Sequence, residues 1–214
     1  MSQTIRASDI SLHDLKIKFG LQRTFDEQFF SEWQLTEFPE LNDFDKYFLD
    51  RTKKAYFNLI EYPPLLEDTV KMAVLAPLLN LAGFYLYPFH TKSEYSVKVS
   101  TVDGEIVVEG KIDVLVLKEQ FWIMVIESKQ AAFSIEAGLA QILADMLANQ
   151  NQEKPCFGMI TTGGSFVFIK LLKGEFPQYA LSRVFELNNP GNDLYRVLSV
   201  LKQLEQTALN ESDT

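Results

Sequence analysis

Ile112-Asp113-Val114-Leu115-Val116-Leu117 and, three residues on, Phe121-Trp122-Ile123-Met124-Val125-Ile126-Glu127-Ser128-Lys129 decide how this chain is read. Both runs are apolar at nearly every position and rich in β-branched side chains. That is the composition of strands covered by helices on both faces of a sheet. Only Lys118-Glu119-Gln120 separates them, so they fold back on each other as a hairpin. The loop lacks glycine, and turn chemistry leaves the register open. Any short loop still brings Asp113 within about one residue of facing Glu127.

Alternation along the strand sends Glu127 and Lys129 to one face and Ser128 to the other. Asp113, Glu127 and Lys129 therefore gather where water is scarce, and a buried ionised group costs several kcal/mol unless it is paired or bound to a cation. Two adjacent carboxylates either raise a pKa or recruit a cation. Asp113 and Glu127 suit Mg2+, with Mn2+ able to substitute, completed by waters and a substrate phosphate. The Ser128 carbonyl offers a further oxygen. Such an ion acidifies bound water and neutralises charge developing on phosphate oxygens. Lys129 is placed to position the attacking water or stabilise the transition state. The pattern predicts phosphodiester hydrolysis.

Outward from this hairpin the chain reads as α/β. Towards the N-terminus, residues 25–34 and 42–59 are candidate helices. Pro63-Pro64 punctuates, and residues 65–82 carry apolar groups at helical spacing until Gly83. Pro77 inside that stretch predicts a kink or an early end. Residues 95–100 and 105–108 alternate as strands around Asp103-Gly104, a hairpin signal. Towards the C-terminus, residues 134–149 form an amphipathic helix with Ser134 as cap and Glu136 in its first turn. Strands at 156–162 and 165–172 flank Gly163-Gly164, another strand covers 179–187, and a final helix covers 193–206. Strand 121–129, helix 134–149 and strand 156–162 make a right-handed βαβ crossover with parallel strands. The expected architecture is a central mixed β-sheet flanked by helices. A helical extension (1–60) packs on one domain (61–209), and the tail 210–214 frays.

Bulk properties narrow the function classes. The chain has 214 residues, 47% hydrophobic and 23% charged, within the range of one globular domain. A single cysteine, Cys156, excludes an internal disulfide and points to the reducing cytoplasm. The N-terminus has no apolar signal-peptide core, and the stretch 72–87 is broken by Pro77 and Asn80, which predicts no membrane span. A net charge of −9 argues against electrostatic coating of nucleic acid, though not against local phosphate gripping.

Asp113 followed by Glu127-Ser128-Lys129 after a short hairpin resembles the PD-(D/E)XK nuclease superfamily, the restriction endonuclease-like fold. The wider pattern is similar to the N-terminal nuclease domain of type I restriction enzyme motor subunits. In those domains an early helix carries a glutamate about ten residues before Pro-Leu-Leu, matched here by Glu67, Lys71 and Pro77-Leu78-Leu79. Glu94 matches a glutamate often found where the chain enters the next strand, and Gln141 a glutamine on the helix after the lysine. The resemblance covers roughly residues 65–172. It implies a restriction endonuclease-like core, a Mg2+-dependent endonuclease and DNA as partner. Glu67 would act at the metal's waters or a second ion, and Gln141 would support the site. Ile112 replaces the signature proline, and Asp145 stands where a tyrosine often follows the glutamine. With no G-x-x-x-x-G-K-[ST] motif, a nuclease module without a motor is implied. Cutting both strands would take a homodimer or two encounters.

Other features have plainer readings. Glu67 and Lys71 form an i,i+4 pair, and Glu94 reads as a surface residue. Gln141, Asp145 and Asn149 recur every fourth residue, as on an exposed helix face. His13 and His90 are isolated, His90 in a loop, and neither has zinc-ligand spacing. Cys156 reads as core. Arg51-Thr52-Lys53-Lys54 reads as a solvated helix face, with a DNA backbone contact as the alternative. The rival function is a catalytically silent nuclease-fold subunit that binds nucleic acid or a protein partner within a larger complex.

Overall fold

The computed structural model describes residues 3–34, 41–101, 104–130, 135–151 and 153–210. In chain order these form β1 (Gln3–Arg6), α1 (Leu12–Phe19), β2 (Gln22–Arg23), α2 (Asp43–Ile60), α3 (Glu67–Val70), a π segment (Lys71–Leu75) and α4 (Ala76–Leu81). They continue as β3 (Phe89–Ser100), β4 (Ile106–Lys118), β5 (Phe121–Ser128), α5 (Ile135–Leu147), β6 (Cys156–Thr161), β7 (Ser165–Leu172), β8 (Gln178–Leu181), β9 (Phe185–Glu186) and α6 (Leu194–Asn210).

The strands make one mixed sheet in the order β1-β4-β5-β6-β7-β8-β2, with β3 also on β4 and β9 also on β7. β5 and β6 are parallel across α5, the others around them antiparallel. Two apolar layers cover the sheet. On one side Leu49, Val70, Leu78 and Leu201 pack against Val116, Met124 and Ile126. On the other, Leu15, Ile142 and Met146 pack against Leu115, Val125 and Ile160. Cover on both faces explains why every residue of β6 is buried.

Several elements differ from the sequence reading. Residues 25–34 form turns rather than a helix. Thr24 Oγ1 and Asp26 Oδ1 accept from the backbone N–H groups of Asp26 and Gln28, which competes with helical hydrogen bonding. Residues 106–108 and 112–117 belong to one strand, β4, paired along its length with β3. His90 and Glu94 lie inside β3, not in a loop or at its start. The first 60 residues supply strands as well as helices, because β1 adds parallel to β4 and β2 parallel to β8. Residues 179–187 divide into β8 and β9. Ser134, Asp103 and residues 211–214 fall outside the described residues, while Asn210, read as the start of the frayed tail, ends α6.

The helical stretch around Pro77 continues instead of ending. Proline lacks an N–H and its ring crowds the carbonyl four residues back. The chain widens just before it, and the Ala76 N–H reaches the Lys71 carbonyl, five residues back. Gly83 then closes the helix at φ 85°, with the Phe84 N–H returning to the Leu79 carbonyl.

Candidate active site

The hairpin register decides which charges meet. Lys118 pairs with Phe121 and Leu117 with Trp122, but Val116 pairs with Met124, so Ile123 is an extra residue in β5. This bulge makes Val114 pair with Ile126, and the next residues, Asp113 and Glu127, stand level. Beyond Ser128 the Lys129 N–H still donates to the Thr161 carbonyl at 2.8 Å, which fixes the base of the lysine arm.

Glu127, Lys129 and Gln141 form a closed triangle. Lys129 Nζ donates to Glu127 Oε1 at 2.5 Å and to Gln141 Oε1 at 3.0 Å, while Gln141 Nε2 donates to the same Glu127 oxygen at 2.6 Å. Gly138 on α5 makes room for the lysine stem: a Cβ there would lie 3.3 Å from Lys129 Cε. Glu127 is buried, and its Oε2 has no partner among the described residues. Burial first, then the charge of Asp113, push its carboxyl up to about 8 against the opposing pull of Lys129.

Asp113 sits beside this triangle with both oxygens engaged. Oδ2 accepts from the Ser128 N–H at 2.8 Å, and Oδ1 accepts from Lys71 Nζ at 3.0 Å. Ser128 thus meets Asp113 through its backbone, and its own Oγ is buried without a partner among the described residues. Glu67 opens α3 half-buried. No hydrogen bond or ion pair among the described residues links it to Asp113, Glu127 or Lys71. Lys71 pairs with Asp68, Glu94 and Asp113 instead of Glu67.

The polar face of α5 is turned inward, contrary to the exposed face its spacing predicts. Asp145 is 1% exposed and Asn149, just past the end of α5, 4%, and Gln141 lies in the triangle. Neither oxygen of Asp145 has a partner among the described residues. Burial pushes its carboxyl up to about 7, with Asp113 adding to the rise and Lys129 opposing it. Gly110 of β4 creates the space: a Cβ there would lie 1.8 Å from Asp145 Oδ1. Lys71, Asp145, Gly110 and Gly138 are the members that the sequence reading misses as parts of the site. Two of them leave a signal, since glycine inside a strand or a helix marks a close approach.

Among the described residues, no three His, Cys, Asp or Glu side chains gather closely enough to hold a metal ion. Asp113 and Glu127 would be the carboxylates available to an ion there. Mg2+ is commonly held by one or two carboxylates with waters and phosphate oxygens, and the orphaned Glu127 Oε2 beside Asp113 fits that donor set. Cys156 is buried, its thiol pushed up to about 12 by burial, and offers no nucleophile. No helix among the described residues is long and apolar enough to cross a membrane. Comparison with models of known protein families and with curated protein sequences finds no match.

Proposed function

We propose that this chain is a Mg2+-dependent endonuclease of the PD-(D/E)XK type, with a restriction endonuclease-like core, hydrolysing phosphodiester bonds in DNA. The observation that carries this reading is the meeting of Asp113, the orphaned Glu127 Oε2 and Lys129 at one end of the β4–β5 hairpin. Mg2+ or Mn2+ bound by Asp113 and Glu127 would supply Lewis acidity and a more acidic water. The Ser128 carbonyl is the further oxygen proposed for the ion, and Glu67 the residue proposed to orient its waters.

The chain's own groups do the rest. Lys129, held by Gln141, presents an ammonium to a phosphate oxygen or to the attacking water. Gln141 keeps Glu127 Oε1 occupied, which leaves Oε2 as the oxygen available to an ion. Lys71 and Lys111 add positive charge near Asp113 and Glu94 on a chain that is acidic overall. In the net reaction water oxygen bonds to phosphorus, the bond to the leaving sugar oxygen breaks, and the water's proton ends on that oxygen.

One observation favours a second reading, a nuclease-fold subunit that binds nucleic acid or a protein partner without cutting: Lys71 already neutralises Asp113. Incubating supercoiled plasmid and single-stranded DNA with the protein and Mg2+ separates the two. Nicking that falls at least about a hundredfold in Asp113→Ala and Lys129→Ala supports the nuclease. Nicking that survives both substitutions, or none by the unaltered protein, overturns it.

A further inference from the structure

Lys71 holds a position that its helix alone does not explain. It is the first residue of the π segment, and its side chain is only 20% exposed. Its Nζ lies 3.0 Å from Asp113 Oδ1, 3.5 Å from Glu94 Oε1 and 3.7 Å from Asp68 Oδ1. π turns of this kind recur at functional sites. The β3–β4 ladder pairs Ser93 with Val114 and Tyr95 with Ile112, and between them Glu94 sits at φ 54°. That conformation is uncommon for a glutamate. It brings the Glu94 carboxylate to Lys71, while Lys111 holds its other oxygen. An open cavity of about 320 Å³ adjoins the group, lined by Asp68, Lys71, Met72, Glu94 and Asp113 among others.

We propose that Lys71 is a tethered cation, which competes with a divalent ion for Asp113 and moves to the incoming phosphate when the ion takes the carboxylate. The inference rests on the metal-dependent reading of the site. An ammonium and a divalent cation cannot share one carboxylate oxygen without strong repulsion. The lysine arm is flexible, and the cavity beside it gives it room to swing. Lys71 therefore makes metal binding weak until a phosphate is present to receive its charge. The coupling is reciprocal: metal strengthens phosphate binding by the factor by which phosphate strengthens metal binding. Substrate and cofactor then assemble together, and the free protein does not carry a loaded ion.

Calorimetric titration of the full chain with Mn2+, with and without a short DNA oligonucleotide, tests this. Without DNA, Lys71→Gln should bind Mn2+ at least about tenfold more tightly than the unaltered protein. Lys71→Arg, which keeps the charge, should remain weak. The tightening of Mn2+ binding by oligonucleotide should be lost in Lys71→Gln. Lys71→Met should behave like Lys71→Gln, which covers a folding failure of either variant. Equal Mn2+ affinity in the unaltered protein and the neutral variants, abolished in each by Asp113→Asn, overturns the role of Lys71 and leaves the metal site standing. Absence of any Mn2+ binding that depends on Asp113 overturns both.

Discussion

Val114 of β4 pairs with Ile126 of β5, not with Val125, because Ile123 is one residue too many for a regular ladder. In the unbulged register Val114 would meet Val125, and Glu127 would stand level with Ile112. A bulge re-aims the side chains that follow it. Here it aligns the two carboxylates. Deleting Ile123 should restore a regular hairpin, keep the far-UV circular dichroism and eliminate Mg2+-dependent nicking, whereas Ile123→Val should leave nicking intact. Full activity in the deletion variant would contradict this role.

Gly110 and Asp145 should be coupled. A Cβ on residue 110 would collide with Asp145 Oδ1 and also approach Ala7 Cβ at 3.1 Å. Gly110→Ala alone is expected to destabilise by about 1–3 kcal/mol. In an Asp145→Ala background the penalty should shrink by about 1 kcal/mol or more. Urea denaturation of the four proteins in the cycle measures this, and additive losses would contradict it.

Asp145 should also leave a signature in the pH dependence of stability. Its carboxyl in the fold is raised to about 7 from an ordinary 3.8, so the folded protein holds that proton more tightly than the unfolded chain. The contribution is full below the unfolded value and is lost as pH rises towards 7. Asp145→Asn has no such proton to lose. Relative to the unaltered protein, the variant should gain stability between about pH 4 and pH 7, on the order of a few kcal/mol. Denaturation curves in metal-free buffer that stay parallel across this window would rule the effect out.

Gln141 touches both Lys129 and Glu127 and holds them in one geometry. Gln141→Ala should lower kcat by about 10–100-fold with little change in KM, the scale of losing an outer partner of a metal site. A change in KM alone would assign the residue to substrate binding.

The hairpin and its charges are readable from the sequence because Asp113, Glu127 and Lys129 interrupt or end apolar runs where polar groups need a reason. Gln141 is found through resemblance, since spacing alone places it with Asp145 and Asn149 on a face that looks exposed. Helical periodicity reports that polar residues share a face, not whether that face meets water or another polar cluster. Lys71 meets Asp113 across 42 positions, a contact that no local pattern encodes. The edge strands β1 and β2 are short and largely exposed, so neither alternation nor burial marks them. Residues 25–34 mislead because Phe29, Phe30 and Trp33 all contact the core while turns, not a helix, carry them there.

The measurement that bears most directly on the proposed site is the anomalous diffraction of crystals grown with a short DNA oligonucleotide and soaked in Mn2+. The metal-dependent account predicts one peak about 2.1 Å from an oxygen of Asp113 and from Glu127 Oε2, with Lys71 withdrawn from Asp113. Crystals that show no peak there, with Lys71 still bound to Asp113 at saturating Mn2+, would contradict it.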